Sequence, residues 1–152
     1  MKFVFPIVPA SNGPVWVAAA VLVVMLGVFL LLGYMAYASR HAEFVLSKDG
    51  LRIKRDLYGR LVPLSSIVFE QVRTLDLNKD REFRLKWRTN GAGMPGYQAG
   101  WFKLRNGEKA LAFVTDRQRV VYIPTRDGYS VLLSVAHPNQ FEEACRAIRS
   151  EL

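Results

Sequence analysis

The chain has one cysteine, Cys145, and two histidines, His41 and His137, in 152 residues. One thiol excludes an internal disulfide framework. One thiol and two imidazoles cannot fill a tetrahedral zinc site without carboxylates, so no metal site is expected. Acidic residues are absent before Glu43, and Lys2 is the single basic residue before Arg40. That nearly uncharged stretch is apolar, with 29 of the first 38 residues drawn from Ala, Val, Ile, Leu, Met, Phe, Trp, Tyr and Cys. The rest of the chain carries all 13 acidic residues and 20 of the 21 basic ones. Its apolar content is close to that of an ordinary globular domain, and its charge is clearly positive.

Val15 to Ala38 is 24 residues without a charge. As a helix it spans about 36 Å, enough for a bilayer core of about 30 Å, so it reads as a single membrane-spanning helix. Pro14 suits the first helical turn. Trp16 lies near one end, and Tyr34 and Tyr37 near the other, where aromatic rings favour the headgroup interface. The rival reading is a cleaved signal peptide, because Ala36-Tyr37-Ala38 has the small-x-small form of a cleavage site before Ser39. It would release an extracytoplasmic soluble domain. The apolar run is longer than a signal peptide needs, and only Lys2 precedes it. Arg40, Lys48, Arg52, Lys54 and Arg55 follow the span closely, which predicts an inner-membrane protein with its C-terminal domain in the cytoplasm. The expected division is a short extracytoplasmic tail over 1–14, the span over 15–38, a linker over 39–42 and a domain over 43–152. Pro6, Pro9 and Pro14 disfavour helix in the tail.

Beyond the span, alternating apolar residues and recurrent turn residues predict an antiparallel β domain. Phe44 to Leu46 and Leu51 to Ile53 flank Ser47-Lys48-Asp49-Gly50, where Asp-Gly is a hairpin signal, and Tyr58-Gly59 reads as a second turn. Pro63 marks an edge or a bend. Phe83 to Arg88 reads as a strand with Phe83, Leu85 and Trp87 on the core face. Further strands are expected at Ala99 to Leu104, Ala110 to Thr115, Val120 to Pro124 and Tyr129 to Leu133, making about seven, enough to curl or close into a barrel. Phe141, Ala144, Cys145 and Ile148 form one stripe of a C-terminal amphipathic helix, with Asn139 and Glu142 placed as a capping box.

A curled sheet of about seven strands capped by one C-terminal helix is the pleckstrin-homology (PH) architecture. The run Pro63-Leu64-Ser65-Ser66-Ile67, the segment Gly91 to Tyr97 leading to Gly100-Trp101-Phe102, and Tyr129 to Ser134 followed by Pro138 and Phe141 resemble bacterial PH-like domains of small membrane-anchored proteins. The resemblance covers about Glu43 to Ile148. It implies membrane attachment and a binding or assembly role, and it brings no catalytic residue. Eukaryotic relatives bind phosphoinositides through a basic first hairpin, which Lys48, Arg52 and Lys54 approximate here, with Asp49 intruding.

Gly91-Ala92-Gly93-Met94-Pro95-Gly96 matches G-x-G-x-x-G letter for letter, but no crossover helix follows, so it reads as a flexible inter-strand loop and no nucleotide cofactor is expected. Cys145 falls on the apolar helix stripe, and neither histidine sits in an acid/base pair, so no catalytic residue is assigned. Asp76 and Asp80 lack calcium-loop spacing. A membrane-tethered enzyme of unknown reaction is the alternative.

Alternation puts Arg52 and Lys54 on one strand face, Arg84, Lys86 and Arg88 on another, and Lys103 and Arg105 on a third. These seven cations are the expected membrane or partner surface. The four-residue linker reaches at most about 14 Å, which holds part of the domain near the headgroups, where each cation contributes about 1 kcal/mol of attraction to anionic lipid. The expected partners are the bilayer itself, an anionic lipid surface, and a protein partner or a second copy of the chain. No nucleic-acid-binding motif is legible, so nucleic acid is not expected.

Overall fold

The computed structural model describes residues 11–151. The expected N-terminal arm lies, over residues 1–10, outside the described residues. Helix α1 runs Gly13–His41, so it continues past Ala38 into the segment expected to be a linker. Gly13–Tyr37 is long and apolar enough to cross a membrane, and its most apolar window is wholly unburied. Trp16, Phe29 and Leu30 expose 74, 64 and 68% of their surfaces. A helix apolar around its whole circumference has no polar side to turn to water.

Ser39–Leu152 forms a compact unit of its own. β1 (Glu43–Ser47) and β2 (Gly50–Lys54) make the expected first hairpin, with Lys48 and Asp49 as the turn and Gly50 opening β2. β3 (Leu61–Val62) adds two residues, and Pro63, which has no N–H to donate, ends it. A 3-10 turn at Leu64–Ser66 follows.

The second sheet has six strands in the order β4-β8-β9-β7-β6-β5. They are β4 (Arg73–Leu75), β5 (Leu85–Met94), β6 (Tyr97–Leu104), β7 (Lys109–Val114), β8 (Val120–Pro124) and β9 (Ser130–Ser134). All pairings are antiparallel except β7 with β9. The fold is thus the predicted PH-like one in kind. The expected closure into a barrel does not occur, because the three-stranded sheet stops at Pro63 without joining the larger one. An isolated bridge, Ile67 to Thr125, links the segment after β3 to the end of β8.

The large sheet is covered on both faces. Leu51, Ile53, Val62 and Leu64 pack on one face against Leu111, Phe113, Val121, Ile123, Val131 and Leu133. On the other, Leu77 and Phe83, from the segment between β4 and β5, cover Leu75, Phe102, Leu104, Ala112, Val120, Tyr122 and Leu132 of the sheet. Double burial explains why β7, β8 and β9 read as nearly unbroken apolar runs rather than alternating ones. The cover segment is held by Arg84, whose guanidinium donates to the carbonyls of Leu77, at 2.5 Å, and Asn78.

Helix α2 runs Pro138–Ser150. Phe141 and Ile148 pack on the first core and Cys145 is buried, whereas Ala144 is exposed. The expected capping box is absent. Pro138 takes the first helical turn after His137, and Asn139 lies inside the helix. Glu142 instead accepts from Thr74 Oγ1 at 2.6 Å, tying α2 to β4.

Candidate functional site

Four of the seven predicted cations gather at one place. Arg84, Lys86, Arg88 and Arg105 line two adjoining hollows of about 500 and 180 Å³ on the outer face of β5, β6 and β7. Arg117, from the β7–β8 turn, lines both. The two hollows also share Leu85 and Gln98, so they form one groove. Phe102 and Val114 line the larger hollow, and the Pro95-Gly96 turn lies at its end. No carboxylate lines either hollow, and among the described residues none of the five cations has an ion-pair partner. Asp116 adjoins Arg117 in sequence but binds Arg119 Nε at 2.8 Å. The Gln118 N–H and the Arg119 guanidinium hold its carboxyl below the usual value.

Local irregularity builds this groove. Arg81–Phe83 is a 3-10 turn, and Arg84 caps it before β5 begins. The register then slips between Leu85 and Trp87, and again between Arg88 and Asn90. Leu85 pairs with Leu104 and Arg88 with Phe102, which puts Leu85 and Arg88 on the same, outer face. Trp87, expected in the core, exposes 63% of its surface. The expected flexible glycine loop is also a correction. β5 continues through Met94, and only Pro95 and Gly96, with φ +80°, make the turn. That is the residue pair of a type II turn.

The other three predicted cations stand elsewhere. Arg52 and Lys54 are exposed on β2, with Lys54 in register with Glu43. Lys103 is exposed on β6 in register with Lys109, whose Nζ lies 4.5 Å from the centre of the Trp101 ring. Around the first hairpin Lys48 and Arg55 are ion-paired, and Arg52 and Lys54 are not, among the described residues. Lys48 pairs with Glu151 at 3.3 Å and Arg55 with Glu43 at 2.5 Å. Arg117 was not singled out in sequence because only the β6–β7 register, with Gln98 opposite Val114, carries the following turn toward β5.

A bacterial PH domain family profile matches residues 42–148, most of the chain. The chain belongs to the bacterial PH domain family. No curated protein and no solved structure matches it. The match ends before Ser150, the last residue of α2, and takes in every strand. A bacterial PH domain fits a binding or scaffold module. Burial, with a smaller push from Glu142, raises the Cys145 thiol to about 11, so it is protonated at neutral pH.

Proposed function

We propose that this bacterial PH protein is a membrane-anchored, non-catalytic binding module, held by α1 as a single span and presenting its domain at the cytoplasmic face of the inner membrane. The observation that carries the reading is one chain joining an apolar helix, without a buried residue in its most apolar part, to a PH domain whose basic groove has no ion pairs among the described residues. Van der Waals contact with lipid gives α1 a partner on every side. Flanking charge sets the orientation, with Arg40, Lys48, Arg52, Lys54 and Arg55 following the span and only Lys2 preceding it. Anchoring also fixes what the basic residues do: a domain already at the membrane gains orientation and partner selection from its cations rather than recruitment.

The motif Ala36-Tyr37-Ala38 supports a second reading, a soluble extracytoplasmic domain starting at Ser39. Intact mass and N-terminal sequencing of the protein from alkaline-washed membranes separate the two. The anchor reading expects the unprocessed chain in the membrane pellet. A mature N-terminus at Ser39 in the soluble fraction would overturn it.

A further inference from the structure

We propose that the groove between β5 and the β7–β8 turn is a binding site for a compact phosphate-bearing ligand. The proposal rests on the binding-module reading and assigns that module its ligand class.

Cations approach the groove from two sides. Lys86 and Arg88 come from β5, and Arg117 comes from the turn after β7, with β6 between them. Two strand spacings separate β5 from β7, about 10 Å, so a ligand lying over β6 meets positive charge on both flanks. Gln98 and Thr115 add neutral donors to the lining. A groove of about 500 Å³ has the size of a small-molecule site.

Charge decides the ligand class. Lys86, Arg88 and Arg117 lack ion-pair partners among the described residues, and no carboxylate lines the groove. A carboxylate would bring one negative charge, whereas a phosphate group brings about −1.5 to −2 and three acceptor oxygens. Guanidinium forks pair with phosphate oxygens in a bidentate way. Around the first hairpin Glu151 and Glu43 pair with Lys48 and Arg55, which leaves Arg52 and Lys54 on a single strand, whereas the groove draws its cations from two elements. Arg84 is committed to the Leu77 and Asn78 carbonyls and serves to shape the wall.

The test is calorimetric titration of the full chain, held in phosphatidylcholine nanodiscs, with inorganic tripolyphosphate and, separately, with dihexanoyl phosphatidic acid as a lipid-headgroup probe. At least one probe is expected to bind saturably. Arg88→Ser combined with Arg117→Ser should weaken that binding about tenfold or more. Both residues are exposed, so the fold should tolerate the change. The matched charge removal Arg52→Ser with Lys54→Ser should leave it nearly unchanged. Tighter binding of the phosphatidic acid assigns the site to a headgroup, and tighter binding of tripolyphosphate to a soluble phosphate. No saturable binding of either probe, or equal weakening by both double variants, would overturn the proposal. An intact membrane-held chain without binding refutes the groove alone. A chain cleaved after Ala38 that still binds through Arg88 and Arg117 refutes the anchor alone.

Discussion

Gly91 and Gly100 face each other across β5 and β6, and neither has room for a side chain. A Cβ on Gly100 would lie 2.5 Å from the Gly91 Cα, and the residue holds φ +117°. Gly100→Ala is therefore expected to cost about 3 kcal/mol or more, read as a lower denaturation midpoint of the full chain in micelles. Gly96 also has positive φ but open space around it. Gly96→Ala should cost only about 1–2 kcal/mol by the same measurement. Cys145 gives a pH signature. Its thiol ionises near an ordinary value of 9.0 when unfolded and at about 11 in the fold. As pH rises through that window the unfolded chain loses a proton that the folded chain keeps, so stability falls with rising pH. Cys145→Ala should remove that component of the pH dependence, and the native thiol should resist maleimide until the chain is unfolded.

Among the elements, the connection between Leu75 of β4 and Leu85 of β5 does what an ordinary connection does not, placing Leu77 and Phe83 in a second core on the outer sheet face. Phe83 packs edge-on against Tyr122 at 4.9 Å between ring centres, with the Arg73 guanidinium 5.0 Å from the Phe83 ring. Phe83→Ala is expected to cost about 3–5 kcal/mol in the same denaturation experiment, more than a loop residue would. Regular elements were legible in sequence: the first hairpin, the strands from Val120 and Tyr129, and the α2 stripe through Phe141, Cys145 and Ile148 all follow from local period and turn chemistry. Trp87 was misplaced because alternation assumes unbroken register, and β5 slips twice. β4 was missed because three residues are too short for a period to show. Asn139 was taken for a cap because the pattern did not weigh Pro138, whose preset φ suits the first turn better.

Across the whole molecule, charge and apolarity are divided between two parts of the chain. The uncharged stretch beginning at Val15 became a helix with no buried residue in its most apolar part, and the charged remainder became a PH domain. Fold class was thus readable from patterning and turn residues, and the family from the resemblance of segments such as Pro63 to Ile67 and Gly91 to Phe102 to bacterial PH-like domains. The groove was readable only in part. Arg84, Lys86, Arg88 and Arg105 were singled out by strand alternation, but their convergence depends on a bulge and on a turn brought in from β7, both products of tertiary pairing. In the function proposed here, the span holds this domain on the cytoplasmic side of the membrane. That placement is tested most directly by fusing a fluorescent protein, or alkaline phosphatase, after Leu152 of the full chain in a bacterial cell. A fluorescent fusion at the membrane with an inactive phosphatase is the result expected; an active phosphatase with a dark fluorescent fusion would contradict it.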